Sequence, residues 1–138
     1  MDISRVRVGA ILHDIGRSKT HGVEHGVVGG TLLRSMGLGE WAGFAENHVG
    51  GGIPAAEAKE LGLPERDYFP QTLEELIVAY ADKLTGGKKR IPFEKTVEEF
   101  KQKLGADHPA IQRLWELHRR VQEMLKKSYK TPVKRKKG

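Results

Sequence analysis

Five side chains in this chain have the types and the spacing that a buried site for divalent metal ions requires. They are His13, Asp14, His25, His48 and Asp82. Neutral imidazole nitrogens combined with carboxylate oxygens suit Mn, Fe, Ni, Co or Zn, whereas sites made of oxygen atoms alone suit Mg or Ca. The pattern therefore predicts a site for one or two divalent transition-metal ions.

The elements that must position these side chains are predicted to be helical. Apolar residues recur at intervals of three and four, and no convincing alternation at period two is present. We expect helices at about 3–13, 22–36, 39–49, 54–61, 72–85, 94–104 and 109–127. Thr72 and Thr96 have capping-box spacing, and Pro109 suits the first turn of a helix capped by Asp107 or His108. The prediction is an all-α helical bundle, with one domain over residues 1–125.

Helical periodicity places the candidate ligands on apolar faces. His13, His25 and His48 each share a helix face with small or apolar residues, and Asp82 follows Val78 and Ala79. An ionised carboxylate buried there would need a cation or hydrogen-bond donors. His118 also lies on an apolar face, and we interpret it as a core histidine. For His21 the roles of ligand, substrate contact and helix cap all remain open.

Composition excludes several classes of protein. The chain has no cysteine, which rules out disulfides, thiolate metal sites and a cysteine nucleophile. No apolar run approaches the length of a membrane span, and the first residues do not have the pattern of a signal peptide. Gly26, Gly29 and Gly30 fall inside a predicted helix with no strand before it, so they indicate close packing rather than a phosphate loop. We expect a soluble, cytoplasmic protein that does not bind membranes.

The positive charge is concentrated at the C-terminus. The net charge is +6, but residues 126–138 contribute seven basic residues and no acid. The 17 basic and 18 acidic residues that remain give a charge of −1. This segment is predicted to be a solvated, flexible tail, with salt-sensitive binding to nucleic acid as the alternative.

The ordered series of motifs resembles a known family. Leu12-His13-Asp14-Ile15-Gly16-Arg17 is followed by His25 in Glu-His-Gly-Val-Val-Gly, by His48, and by Asp82 in Tyr-Ala-Asp-Lys-Leu. Over about residues 4–85 this is similar to the HD-domain superfamily of metal-dependent phosphohydrolases, and within it to the HDIG-bearing subgroup. The resemblance implies a helical bundle with a first metal held by His13, Asp14 and Asp82. It implies a second held by Asp14, His25 and His48.

One departure from the family pattern affects the first site. Family members have a further ligand histidine on an upstream helix, and residues 1–12 contain no histidine. The first site would then have three protein ligands, leaving more room for water or weakening metal occupancy. Without that helix, apolar surface on residues 3–13 and 72–85 would be uncovered, and a homodimer contact could cover it.

The chemistry implied by the resemblance is hydrolysis of a phosphate ester or anhydride. A divalent metal lowers the pKa of water and neutralises phosphoryl oxygens, so no side-chain nucleophile is needed. Asp14, Arg17 and Lys83 are the predicted catalytic residues, the two cations serving to hold phosphate oxygens, with Lys19 a weaker third cation. The expected substrate is a phosphorylated small molecule, with a nucleotide favoured.

Two other functions remain open at this point. A di-iron oxygenase would use the same kind of ligands with iron and dioxygen. A nucleotide- or nucleic-acid-binding protein would use an incomplete metal site together with the basic tail. Glu46 and Asn47, beside His48, are interpreted as a solvated face, with hydrogen bonding behind the ligand residues as the alternative.

Overall fold

The computed structural model describes residues 1–130, with side chains described through residue 127. Its helices and strands follow in chain order: α1 (Ile3–Leu12), a 3-10 helix (Ile15–Ser18), α2 (His25–Ser35), a 3-10 helix (Gly39–Trp41), α3 (Ala42–Glu46), α4 (Ala55–Glu60), α5 (Leu73–Asp82), β1 (Thr85–Gly86), β2 (Lys89–Arg90), α6 (Phe93–Leu104) and α7 (Pro109–Lys130). The predicted all-α fold is confirmed. No helix among the described residues is long and apolar enough to cross a lipid bilayer.

Helix α5 ends earlier than predicted. The helix predicted to reach residue 85 ends at Asp82, and the chain turns into an antiparallel hairpin in which Thr85 pairs with Arg90 and Gly86 with Lys89. Two-residue strands are too short to produce a period-two pattern, so the hairpin was missed. The Thr72 cap is confirmed, because its side chain accepts a hydrogen bond from the Glu75 backbone N–H.

The predicted cap at Thr96 is wrong. Helix α6 begins earlier, at Phe93 after Pro92, so Thr96 lies within its first turns. The buried Thr96 hydroxyl instead donates to the carbonyl oxygen of Lys83 at 2.5 Å, which ties α6 to the end of α5. Helix α7 does begin at Pro109, and the His108 Nδ1 accepts the Ala110 N–H at 3.0 Å.

Glycines allow α2 and α3 to pack closely. A Cβ added at Gly26 would lie 2.8 Å from the Ala45 carbonyl oxygen, and one at Gly30 would lie 2.5 Å from Glu46 Cγ. Both distances are shorter than van der Waals contact, so a side chain at either position would push the helices apart. The prediction that these glycines are close-packing positions is confirmed. Their packing brings the helix that begins with His25 against the segment that ends near His48.

The C-terminal helices complete the core beside α5. Buried apolar side chains of α5, α6 and α7 form one cluster: Leu76, Tyr80, Phe93, Val97, Ile111, Leu114, Leu117 and Val121. Each fully buried large apolar side chain contributes about 1.5–3 kcal/mol to stability. His118 is half-buried at the edge of this cluster, where its Nδ1 and the Tyr80 hydroxyl lie 2.6 Å apart in a hydrogen bond. The interpretation of His118 as a structural histidine agrees with these contacts.

An apolar groove lies between α1 and α5. Val6, Ala10, Ile77 and Ala81 line it, and it ends at His13 and Asp82. Ile11 at its side is 79% exposed. This is the surface that the sequence predicted to be uncovered. The homodimer stays a prediction. Residues 131–138, which hold most of the predicted basic tail, lie outside the described residues.

Candidate metal centre

The five predicted ligands converge at one end of the bundle. His13 follows the end of α1, Asp14 precedes the first 3-10 helix, His25 begins α2, His48 follows α3 and Asp82 ends α5. The Nε2 atoms of His25 and His48 are 3.0 Å apart, and each lies within 3.4 Å of Asp14 Oδ1. The Nε2 of His13 lies 3.3 Å from Asp82 Oδ1. Residues separated by up to 69 positions therefore form one cluster.

All three histidines are oriented in the same way. Each places its Nδ1 against the carbonyl oxygen three residues earlier: His13 on Ala10 at 2.6 Å, His25 on Gly22 at 2.9 Å and His48 on Ala45 at 2.7 Å. A carbonyl oxygen only accepts, so Nδ1 must carry the proton. In the neutral ring Nε2 then keeps its lone pair, which faces the centre of the cluster. Metal-binding histidines are commonly fixed by a backbone carbonyl in this way.

The ligand atoms fall into two overlapping groups. Asp14, His25 and His48 form one group, as the family resemblance implied. The other consists of His13, His48 and Asp82, so His48 stands where the resemblance implied Asp14. Asp14 Oδ2 is 3.7 Å from His13 Nε2, somewhat farther than the contacts to Asp82. His48 is thus common to both groups.

The protonation states fit a cation site. The Asp14 carboxylate is ionised at pH 7. Burial alone would raise the pKa of Asp82, but His13 and the Lys83 ammonium outweigh it, and the pKa is well below normal. Burial lowers the pKa of His48, which keeps the ring neutral at pH 7. Both acids are then ionised and the most buried ring keeps its lone pair.

One buried oxygen atom of the cluster has the environment of a cation ligand. Asp14 Oδ1 is buried and accepts no hydrogen bond from any residue that the structure describes, although the rest of its side chain is partly exposed. It faces the Nε2 lone pairs of His25 and His48. A buried anionic oxygen against two lone pairs is unfavourable unless a proton or a cation lies between them. The donor set and this geometry therefore fit a divalent transition-metal ion.

Lys83 is buried against the ligands. Its ammonium donates to the carbonyl oxygens of His48 at 2.7 Å and Ala79 at 3.3 Å, and to Asp82 Oδ2 at 3.1 Å. Burial lowers the pKa of this ammonium, and the Asp82 carboxylate opposes that shift. The three N–H groups are thus engaged with three acceptors, two of which belong to candidate ligands. Lys83 holds the His48 segment and the Asp82 carboxylate at a fixed distance.

A cavity of about 250 Å³ opens beside the cluster. Its lining includes His25, His48 and Asp82 of the cluster, together with Arg17. Arg17 is partly exposed, and its Nε is 3.3 Å from Asp14 Oδ1. Phe100 and Lys103 of α6 also line the cavity. His21 is exposed and belongs to neither ligand group among the described residues.

Comparison with known proteins identifies the family of this chain. The sequence model of the HD domain matches residues 1–87, which contain all five candidate ligands. The chain belongs to the HD-domain family. Members of this superfamily are metal-dependent phosphohydrolases, and the His and Asp groups of this HD domain are ones that could hold a metal ion. The hairpin, α6 and α7 continue beyond the matched residues.

Relatives of this HD-domain protein include both characterised and uncharacterised sequences. An uncharacterized protein of Methanocaldococcus jannaschii is 50% identical over 127 residues, which are 91% of this chain and 75% of the relative. The tRNA (cytidine(56)-2'-O)-methyltransferases of Thermoplasma volcanium and Picrophilus torridus are 43% and 39% identical, over 86% and 82% of this chain. The matched segment spans only 35% and 33% of those two enzymes. No solved structure matches the chain significantly.

Glu46 of this HD domain was interpreted as solvated, and that interpretation is wrong. The residue is 4% exposed rather than solvated, and its carboxylate accepts from Arg34 at 2.7 and 2.9 Å and from Arg66 at 2.8 Å. These contacts join α2, α3 and the loop before α5 next to His48. The adjacent Asn47 donates to Glu75 Oε1 at 2.9 Å. Both residues hold the segment that carries His48.

Replacing Glu46 with glutamine should destabilise the protein. At pH 7 we expect a loss of about 1.5–3 kcal/mol, the range for hydrogen bonds to charged groups. Burial alone would raise the pKa of Glu46, but Arg34 and Arg66 outweigh it and the pKa is lowered. The contribution is therefore present above the ordinary glutamate pKa of about 4.3 and is lost as pH falls through the lower folded value. Urea unfolding at pH 7 and at decreasing pH measures this.

Glu40→Gln is the matched control for Glu46. Glu40 is an exposed acid paired with Arg5 at 3.6 Å, and exposed pairs contribute about 0–1 kcal/mol. Equal unfolding free energies for Glu46→Gln and wild type at pH 7 would contradict the structural role of Glu46.

Proposed function

We propose that this protein is a metal-dependent phosphohydrolase that acts on a nucleotide or another phosphate ester. The observation that carries the proposal is the buried Asp14 Oδ1, which accepts no hydrogen bond within the described residues and faces two imidazole lone pairs beside an open cavity. Asp14, His25 and His48 would hold one ion. The single Nε2 lone pair of His48 can bind only one ion, so a second ion would be held by His13 and Asp82 together with Asp14 Oδ2, which lies 3.7 Å from His13 Nε2. A bound divalent ion supplies a lower pKa for water, toward about 7, and neutralises charge on phosphoryl oxygens.

The residues of the chain orient the reactants. In hydrolysis, the oxygen of water bonds to phosphorus, the ester P–O bond breaks, and the departing oxygen takes up a proton. Asp14 belongs to the ligand cluster, with one oxygen buried and the rest of its carboxylate partly exposed. Its proposed catalytic role is to hold the ion that would activate water. Arg17 lies at the cavity wall, where its guanidinium can hold a phosphate oxygen.

Lys83 acts in this proposal mainly by fixing the ligands. Its ammonium already donates to His48, Ala79 and Asp82. Direct contact with a phosphate would require it to release one of these acceptors, so its catalytic contribution is to hold Asp82 and His48 in place. Arg17, which has a partly exposed guanidinium, is the better placed of the two predicted cations for direct contact.

The experiment that tests the function combines metal analysis with an activity screen. The purified chain is stripped with EDTA and reloaded separately with Mn, Fe, Ni, Co or Zn. Phosphate release is then measured over nucleoside mono-, di- and triphosphates and model phosphodiesters. We expect one or two ions per chain and metal-dependent release from at least one substrate. A chain that binds no ion and releases no phosphate with any metal contradicts the proposal.

Arg17→Ala should raise KM while leaving the metal content unchanged. A charge-assisted hydrogen bond is worth roughly 1.5–3 kcal/mol, so we expect KM for a hydrolysed nucleotide to rise about tenfold or more. Steady-state kinetics measures this, with elemental analysis of the same sample. Lys19→Ala removes a cation two positions away and should have a smaller effect. An unchanged KM in Arg17→Ala would exclude the proposed contact.

A binding role is the second candidate, and the relatives favour it. Two proteins that match most of this chain are named as tRNA methyltransferases, and the matched segment is about a third of each. In that case the domain would hold RNA, and the metal cluster would be structural. RNA binding that occurs without any metal-dependent phosphate release would support this candidate over the hydrolase.

A further inference from the structure

Cations without ion-pair partners occur beside the cavity. Several arginines and lysines elsewhere are paired with acids, among them Arg66 with Glu46 and Arg119 with Glu116. Within residues 1–127, by contrast, Lys88, Lys89, Arg90 and Lys103 form no ion pair. Some other cations, which are scattered along the described residues, form none either. Glu99 also lines this cavity and forms no ion pair within those residues, so the four cations outnumber the unpaired acid. An anionic ligand would reduce the remaining positive charge.

The hairpin carries three of these cations between two residues of the cavity lining. Thr85 and Ile91, which flank the hairpin, both line the cavity wall. Gly87 takes the positive φ of 62° that the tight turn needs, and Lys88, Lys89 and Arg90 are all exposed. At about 3.3 Å per residue, a turn only two or three residues from those anchors lies within roughly 10 Å of them. The three exposed cations therefore lie close to the cavity lining.

The interior of the cavity suits one terminal nucleotide. Its volume of about 250 Å³ is below the usual range of roughly 300–1,000 Å³ for small-molecule sites. Phe100 offers a half-buried aromatic ring in the wall, and Arg17 and Lys103 contribute cations there. Aromatic rings stack on nucleobases in a sequence-tolerant way, and cations follow the phosphate backbone. A longer chain would have to continue outward, over the hairpin.

We propose that the hairpin Thr85–Arg90 and Lys103 form a binding surface for single-stranded RNA. The terminal nucleotide of the strand enters the cavity with its base against Phe100, and the following phosphates lie along Lys88, Lys89 and Arg90. Together these features recognise a strand end better than a free mononucleotide. The inference deepens the proposed function by naming its substrate class, and it rests on that function only for the fate of the terminal phosphate.

Binding in EDTA tests the surface independently of hydrolysis. Anisotropy of a labelled ten-nucleotide RNA is measured with the full chain between 50 and 200 mM salt. The triple variant K88A/K89A/R90A should bind at least tenfold more weakly and have a log–log salt slope smaller by about 2, because each lost phosphate contact removes about 0.7. The control R7A/K59A/R120A removes the same charge elsewhere and should bind within about twofold of wild type, with circular dichroism checking the fold of both.

Three outcomes of this experiment would overturn the proposal. One is equal binding by the two triple variants. Another is a loss of binding only when Lys134, Arg135, Lys136 and Lys137 are replaced with alanine, which would place the RNA on the C-terminal segment. The third is displacement of the RNA by polyglutamate of equal charge at equal concentration, which would indicate an acidic protein partner instead. RNA binding through the hairpin without phosphate release under any metal would support this surface and contradict the hydrolase.

A fluorescent base tests entry of the strand end. RNA with 2-aminopurine at its terminal position should lose fluorescence when it stacks on Phe100, and RNA with the same base at a central position should lose less. Phe100→Leu keeps an apolar side chain but removes the ring, so the terminal quenching should disappear. Equal quenching at both positions, or quenching that persists in Phe100→Leu, would contradict insertion of the terminal nucleotide.

Discussion

Replacing Asp14 with alanine is expected to lower metal-dependent phosphate release by about a thousandfold or more, because metal-ion catalysis supplies several kcal/mol of stabilisation. The same variant should bind fewer ions per chain. The Asp14 carboxylate of the wild type is the group that contacts His25 and His48, at 3.4 and 3.3 Å. No other acid belongs to that ligand group in the described residues. kcat/KM and elemental analysis measure the two effects on one sample.

The stability of the Asp14 variant separates loss of the metal from loss of the fold. In EDTA the buried Oδ1 accepts no hydrogen bond and has only the partly exposed Arg17 beside it, so its removal should change the melting temperature little. The rise in melting temperature on adding metal, which follows from binding to the folded state alone, should disappear. Asp107→Ala, which removes an exposed acid, is the control. Wild-type metal content and activity in Asp14→Ala would refute the assignment.

Gly16→Ala is expected to have the second large effect, on both stability and metal affinity. A Cβ at Gly16 would lie 1.8 Å from the backbone carbonyl oxygen of His25 and 2.8 Å from the Gly29 backbone nitrogen. Neither atom can move without moving α2. Overpacking of this kind costs about 1–3 kcal/mol and sometimes more, and the displacement would carry His25 away from Asp14. Urea unfolding and metal titration measure the two consequences.

Gly39→Ala provides the matched glycine control. A Cβ there would meet its nearest neighbour, Arg34 Cγ, at 3.6 Å, which is ordinary contact, and Gly39 is not among the positive-φ glycines. We therefore expect no loss of stability, since alanine lowers the entropy of the unfolded chain. If Gly16→Ala and Gly39→Ala unfolded at the same urea concentration, the close approach at Gly16 would carry no energetic weight.

The sequence was sufficient to predict the helical fold and the five converging side chains. The imidazole and carboxylate groups lie at helix ends on apolar faces, and burial of such groups needs compensation wherever the helices meet. The division into ligand groups was less accessible, because whether His48 or Asp14 stands beside His13 and Asp82 depends on how α3 packs against α1 and α5. Periodicity gives the face of a helix and not its position relative to its neighbours.

The features that sequence reasoning missed have physical causes. Thr96 matched a capping box, yet α6 starts at Phe93 because Pro92 fits the position just before a helix, and local pattern alone does not distinguish the two starts. Glu46 is buried because Arg34 and Arg66 reach it from 12 and 20 residues away. The sequence signal that could have indicated the burial of Glu46 is Gly30, because a glycine on α2 leaves room for the Glu46 side chain that packs against it.

The local anchoring of the three imidazoles has a consequence for ion selectivity. Each ring is fixed by a carbonyl only three residues away in its own segment, so its rotation is settled before the helices meet. Moving α2 relative to α3 would translate the rings without turning them. The ionic radius that fits between them is then governed by the glycine-lined spacing of the helices, and a change of preferred element could be engineered there without altering a single ligand.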